Sequence, residues 1–112
     1  MTSNLIHLNA KTILLTGAAG YLGSAMARGF TQAGGFVYLN GRNKESLHKL
    51  CDELVSAGGK AAELPFDVTD SRAVADALRI IEGKHGSLDV LVNNAYYGKG
   101  GTLEVSTNQD FY

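Results

Sequence analysis

Thr16-Gly17-Ala18-Ala19-Gly20-Tyr21-Leu22-Gly23 is the stretch whose residue types and spacing bear most directly on chemistry. It lies between an apolar run and a segment of helical periodicity, so it reads as the turn from a strand into a helix. Such a turn can hold a phosphate. The first amides of a helix have no intrahelical acceptor, and the aligned peptide dipoles make that end positive. A phosphate reaches those amides only where side chains stand aside. Gly17 suits a sharp turn, Gly20 suits close approach of a pyrophosphate to the backbone, and Gly23 lets the helix lie tightly on its strand. The bland alternative is three glycines serving turns alone. The strand before and the helix after favour a phosphate cradle, with Gly17, Ala19, Gly20, Tyr21, Leu22 and Gly23 as its contacts.

The other reactive side chains form no constellation. Cys51 falls on the apolar stripe of a helix and reads as a packed core thiol rather than a nucleophile. His7, His48 and His85 are scattered, with no motif joining them, and read as surface or loop residues. No Cys/His cluster has metal-ligand spacing.

The elements that would position the loop alternate along the chain. Thr12 to Thr16 is apolar without polar alternation, as in a parallel strand covered on both faces. Tyr21 to Ala33 reads as a helix with Leu22, Met26, Phe30 and Ala33 on its inner stripe, stopped by Gly34-Gly35. Phe36 to Leu39 is a second strand. Asn43 caps a second helix carrying Leu47, Leu50, Cys51, Leu54 and Val55 inward, ended by Gly58-Gly59. Ala61 to Phe66 is a third strand, and Asp70 or Ser71 caps a third helix with Val74, Ala77, Leu78 and Ile81 on its inner face. Leu88 to Val92 is a fourth strand. A glycine-bearing loop from Tyr96 to Gly101 follows, and Ser106 to Tyr112 reads as a helix opening.

Right-handed crossovers between parallel strands put helices on both faces of one sheet, giving an α/β, doubly wound parallel sheet of order 3-2-1-4. Residues 1–112 form one domain in this reading, incomplete at the C-terminus. The fourth strand would then be an edge, with exposed apolar surface and a tendency to self-associate.

Composition limits the partners. A net charge of −1, without a run of Lys or Arg, offers no footprint for a nucleic acid. No apolar run approaches the ~20 residues that span a bilayer, so no membrane partner is expected. A single cysteine cannot close an internal disulfide, and the expected location is cytoplasmic.

Four landmarks in order resemble the short-chain dehydrogenases/reductases. They are the Thr16-Gly17 loop, Asn40-Gly41-Arg42, Asp67-Val68-Thr69-Asp70, and Leu88-Asp89-Val90-Leu91-Val92-Asn93-Asn94-Ala95. Phe36 to Ala95 is most similar to gluconate 5-dehydrogenase-like reductases of sugar acids and polyols. The resemblance implies a Rossmann dinucleotide-binding domain that holds a nicotinamide coenzyme. It implies that Asp67 accepts from the adenine amino group, that the Val68 amide meets the ring, and that Asn94 and Ala95 line the ribose while Asn93 ties strands together. The alternative for Asp67 is a turn before the third helix. After the second strand, an acid would bind a ribose 2′-hydroxyl, whereas a cation accommodates a 2′-phosphate. This chain offers Asn40 and Arg42, so NADP is the expected cofactor, with NAD possible; the alternative for Arg42 is a solvated surface cation. The departures are Gly-x-x-Gly-x-x-Gly spacing, commoner in the epimerase-containing extended branch, Ala19 where NADP-preferring relatives often have a base, and Tyr96 where relatives usually have glycine.

In this family a tyrosine with a lysine four residues on acts as general acid/base beside a serine. Tyr96 and Tyr97 are followed at that spacing by Gly100 and Gly101, and Tyr38 by Arg42, so the 112 residues hold no such pair. The resemblance therefore implies an inactive cofactor-binding part of a parent oxidoreductase acting on a small carbonyl or alcohol substrate, a homo-oligomer. Two alternatives stand beside it: a non-catalytic nucleotide-binding or interaction module, and a sugar-nucleotide epimerase fragment.

Overall fold

The computed structural model describes residues 7–94 and 104–107. Within them the chain runs β1 (Thr12–Leu15), α1 (Tyr21–Gln32), β2 (Phe36–Leu39), α2 (Lys44–Ser56), β3 (Lys60–Glu63), α3 (Ser71–His85), β4 (Val90–Asn93) and β5 (Glu104–Thr107). The sheet order is β3-β2-β1-β4-β5, the first four strands being parallel. The doubly wound arrangement expected from the alternating pattern is present.

β1 is buried along its whole length, and its pleat sends side chains to both faces. Ile13 and Leu15 join Val37, Leu39, Leu47, Leu50, Leu54 and Ala27 in the core that includes α1 and α2. Leu14 points the other way, to Tyr38, Ile81 and Leu88, where α3 packs. This division explains why the strand reads as a continuous apolar run.

α2 and α3 start where their caps dictate. Asn43 accepts the Ser46 N–H, and Asp70 accepts those of Arg72 and Ala73, satisfying amides that lack helical partners. α1 differs from its expected stripe. Its buried residues are Gly23 and Ala27, with Met26 and Phe30 partly buried beside them, whereas Leu22 is 51% exposed. Small residues let α1 approach the sheet closely, which turns Leu22 outward. Val55, expected on the inner stripe of α2, is likewise half exposed.

β3 is shorter than the expected Ala61 to Phe66. Leu64 donates one more bond to Leu39 O, and Pro65, which has no N–H, ends the ladder. The expected helix opening at Ser106 is corrected. Glu104–Thr107 is a strand antiparallel to β4, pairing Val90 with Thr107 and Val92 with Val105. Val105 and Thr107 are β-branched, which suits a strand better than a helix start. β4 is thus an inner strand and not the expected edge, so that ground for self-association is removed. Residues 108–112 and the Tyr96 to Gly101 loop lie outside the described residues. Among the described residues, no helix is long and apolar enough to cross a membrane.

Candidate functional site

The carboxyl ends of the four parallel strands share one edge of the sheet. Gly17 to Gly23 follow β1, Arg42 follows β2, Asp67 and Val68 follow β3, and Asn94 follows β4. β1 lies between β2 and β4, which are reached by crossovers in opposite directions; open α/β sheets take ligands at that switch point. Ala95, expected beside Asn94, lies outside the described residues, as do Tyr96 and Tyr97.

The glycine loop is shaped by its own backbone. Gly17 has φ of 63°, a conformation that residues with a Cβ resist. A Cβ on Gly23 would stand 2.0 Å from Gly17 O and 2.9 Å from Ala18 Cα, so no side chain fits there. Ala18 is fully buried, and its N–H donates to Asn40 O at 2.9 Å. Ala19 is half-buried.

Gly20 is different. It is extended, at φ −74° and ψ 175°, and a Cβ there would meet Gly17 O at an ordinary 3.6 Å. The protein itself does not require glycine at this position. Gly20 is the N-cap of α1, and the helix has no side-chain cap and no acid in its first turn. The first helical bond runs from Ser24 N to Gly20 O at 2.8 Å, so the amides of Tyr21, Leu22 and Gly23 begin the helix without intrahelical acceptors. α2 and α3, by contrast, carry Asn43 and Asp70 as caps. A bare, positively polarised helix start beside room for a larger group fits a phosphate-bearing cofactor. Tyr21 is 95% exposed and flanks that opening.

The β1 and β4 ends are stitched by polar groups. The Thr16 hydroxyl accepts from Asn94 N at 2.9 Å and donates to Asn93 Oδ1 at 3.1 Å. Asn94 Nδ2 donates to Gly17 O at 3.2 Å. Asn93 therefore joins strands as expected, while the Asn94 amide braces the glycine loop from beneath.

Arg42 is exposed, as the specificity reading requires. Asn40 is not: it is 2% exposed, and its Nδ2 donates to Leu64 O at 3.1 Å and Phe66 O at 3.0 Å. Asn40, which stands with Arg42 after the second strand, is committed inside the protein. Asp67 begins a turn, its Oδ1 accepting from Thr69 N at 2.9 Å and Thr69 Oγ1 at 2.6 Å. These bonds, the hydroxyl's foremost, hold the carboxyl below the ordinary aspartate range; slight desolvation opposes them and the Arg42 charge adds to them. Val68 beside it is half-buried.

Elsewhere the reactive groups have structural surroundings. Cys51 is partly buried in the α1/α2 core, and burial raises its thiol pKa, with the Glu63 and Asp52 charges acting in the same direction. His48 bridges Glu63 and Asp52 on the surface, and His85 Nε2 lies 2.9 Å from the Tyr38 hydroxyl. Among the described residues, no group of three or more His, Cys, Asp or Glu could hold a metal ion. Thr16 and Asn40 were missed as functional supports by sequence reasoning. Their side-chain partners lie 24 or more residues away, beyond any local signal.

The geometry agrees with the comparisons. The short chain dehydrogenase family model matches residues 11–112. Gluconate 5-dehydrogenase of Gluconobacter oxydans (strain 621H) is 38% identical over 108 residues, covering 96% of this chain and 42% of that protein. A metagenomic short-chain oxidoreductase solved in complex with NADP is 37% identical, with a TM-score of 0.77 over 81% of this chain and 41% of its own. L-sorbose reductase of Gluconobacter frateurii, complexed with NADPH and L-sorbose, is 29% identical, with a TM-score of 0.76 over 86% of this chain and 37% of its own. The chain thus spans less than half the length of these relatives. With the glycine loop, the strand order and nearly the whole sequence in agreement, the chain belongs to the short-chain dehydrogenase family.

Proposed function

We propose that these residues form the NADP(H)-binding part of an oxidoreductase that moves hydride between a nicotinamide and a small carbonyl or alcohol substrate. The observation that carries this reading is the uncapped start of α1 at Gly20, where the fold leaves room and bare amides that it does not itself use. Gly17, Ala19, Gly20, Tyr21, Leu22 and Gly23 would surround the pyrophosphate. Arg42 would pair with the 2′-phosphate, Asp67 and Val68 would meet the adenine, and Asn94 with Ala95 would border the ribose. The bound coenzyme would supply or accept the hydride. These residues would bind and orient it, with Gly17 and Gly23 fixing the loop and Arg42 contributing a charge opposite to the phosphate.

The NADP and NADPH held by two solved relatives support the choice of coenzyme. The 112 residues contain no tyrosine followed four positions later by lysine, so the reading assigns the Ser, Tyr and Lys of proton transfer to the further length of a relative-sized protein. The chain alone would bind coenzyme without turnover. A cytoplasmic location and a homo-oligomeric parent belong to the same proposal, tested by localising the intact protein and by light scattering.

The decisive experiment titrates the protein with NADP⁺ and NAD⁺ by calorimetry. Saturable binding with NADP⁺ tighter supports the reading, and absence of binding by either in a folded sample defeats it. Reduction of a simple ketone against turnover of a sugar nucleotide by the intact protein separates a reductase from an epimerase.

A further inference from the structure

We infer that Asn40 is a positioning residue for coenzyme discrimination, holding the turns that carry Arg42 and Asp67 at a set separation; this rests on the proposed NADP(H) site. Three loops of the candidate site meet at this one side chain and its backbone. The Asn40 carbonyl accepts the Ala18 N–H of the glycine loop at 2.9 Å. Its Nδ2 donates both protons to the chain that follows β3, one to Leu64 O at 3.1 Å and one to Phe66 O at 3.0 Å. Arg42 lies two residues beyond Asn40, and Asp67 follows Phe66 directly.

The need for this amide has a physical cause. The β3 ladder ends with the Leu64 N–H before Pro65, and the carbonyls on either side of the proline take their donor from the Asn40 amide. A primary amide has two N–H donors and can satisfy both at once; a hydroxyl has one and a carboxylate none. With the side chain 2% exposed, loss of those bonds would strand two carbonyls in poorly hydrated surroundings. The Leu64–Phe66 segment would then move away from β2, and Asp67 would move with it. Arg42 would keep its charge but lose the fixed neighbour that shapes the adenine and 2′-phosphate corner.

The test measures the ratio of NAD⁺ to NADP⁺ dissociation constants for the intact protein and two variants. In Asn40→Ala the preference for NADP⁺ falls about tenfold, because misplacing a charged recognition pair weakens it selectively. Binding that depends only on the glycine loop persists. Asn40→Asp is isosteric and gives a second readout. Its carboxyl must be protonated to donate to even one carbonyl, so the preference, normalised to wild type at each pH, recovers as pH falls. Arg42 and Asp67 are the charged groups nearest in sequence to these turns, and the wild-type reference carries their titration. An unchanged ratio in folded Asn40→Ala, or a pH-independent normalised ratio in Asn40→Asp, overturns the inference. A wild type that binds neither coenzyme defeats the parent reading instead, and that result is visible before any variant is made.

Discussion

The glycine loop and the Asn40–Asp67 corner occupy neighbouring strand ends, yet one is shaped by backbone atoms and the other by side chains. In the loop, Gly17 adopts a positive φ and Gly23 lies against Gly17 O with no room for a methyl. In the corner, an amide, a hydroxyl and two exposed charges set the geometry. The difference predicts that changes in the loop act first on folding, whereas changes in the corner act first on the proposed choice of coenzyme. Gly20 is the exception within the loop, since its extended backbone and the ordinary 3.6 Å spacing from Gly17 O make it the loop glycine whose replacement spares the fold.

The largest expected effect tests the backbone side of the contrast. Gly23→Ala pushes a methyl into Gly17 O and Ala18 Cα, neither of which can swing aside, and should lower unfolding free energy by about 3 kcal/mol. Urea denaturation measures it, and a loss below about 1 kcal/mol would mean that the loop yields more easily than its contacts imply. Gly20→Asp comes next and divides folding from binding. A carboxylate at the N-cap should leave stability unchanged or raise it by a few tenths of a kcal/mol, while NADP⁺ affinity drops about a hundredfold through repulsion of the phosphates. Equal affinities would show that the coenzyme does not approach this helix start.

Arg42→Ala sharpens the other side. NADP⁺ affinity should fall about tenfold, with NAD⁺ affinity retained, and the NADP⁺ advantage of the wild type should shrink as salt is added. An unchanged NADP⁺ affinity would return Arg42 to the surface. The smallest effect concerns Asp67, whose folded-state pKa lies below its ordinary value because of Thr69 foremost and also Arg42. A carboxylate depressed in this way adds stability above its unfolded pKa, and that contribution disappears as pH falls through the folded one. Asp67→Ala should therefore lower neutral-pH stability slightly, with the difference from wild type vanishing as pH falls through the folded-state pKa, and the pH dependence of the urea midpoint is the measurement.

Much of the site was legible because its signals are local. The turn from Leu15 through Gly23 into α1 depends on neighbouring residues, and the Asn43 and Asp70 caps act within three positions. β1 and β2 were readable as unbroken apolar runs because both faces are covered. Leu22 and Val55 were misread since periodicity marks a stripe without saying which part of it the sheet reaches. The strand at Glu104 was misread for a related reason: Ser106 can open a helix in isolation, and pairing with β4 is a long-range choice.

The sequence by itself determined where the first four strands and three helices run and that a glycine-rich turn stands at the first crossover. Backbone conformation and capping are paid within a few residues, so those features need no distant partner. Tertiary structure alone decided that Asn40 is a buried tie to Leu64 and Phe66, that Asn94 braces Gly17, and that Gly20 is unconstrained while Gly23 is immovable. Those outcomes depend on atoms that meet only when separate strands align, and a buried polar group takes whichever partner the assembled sheet leaves within reach.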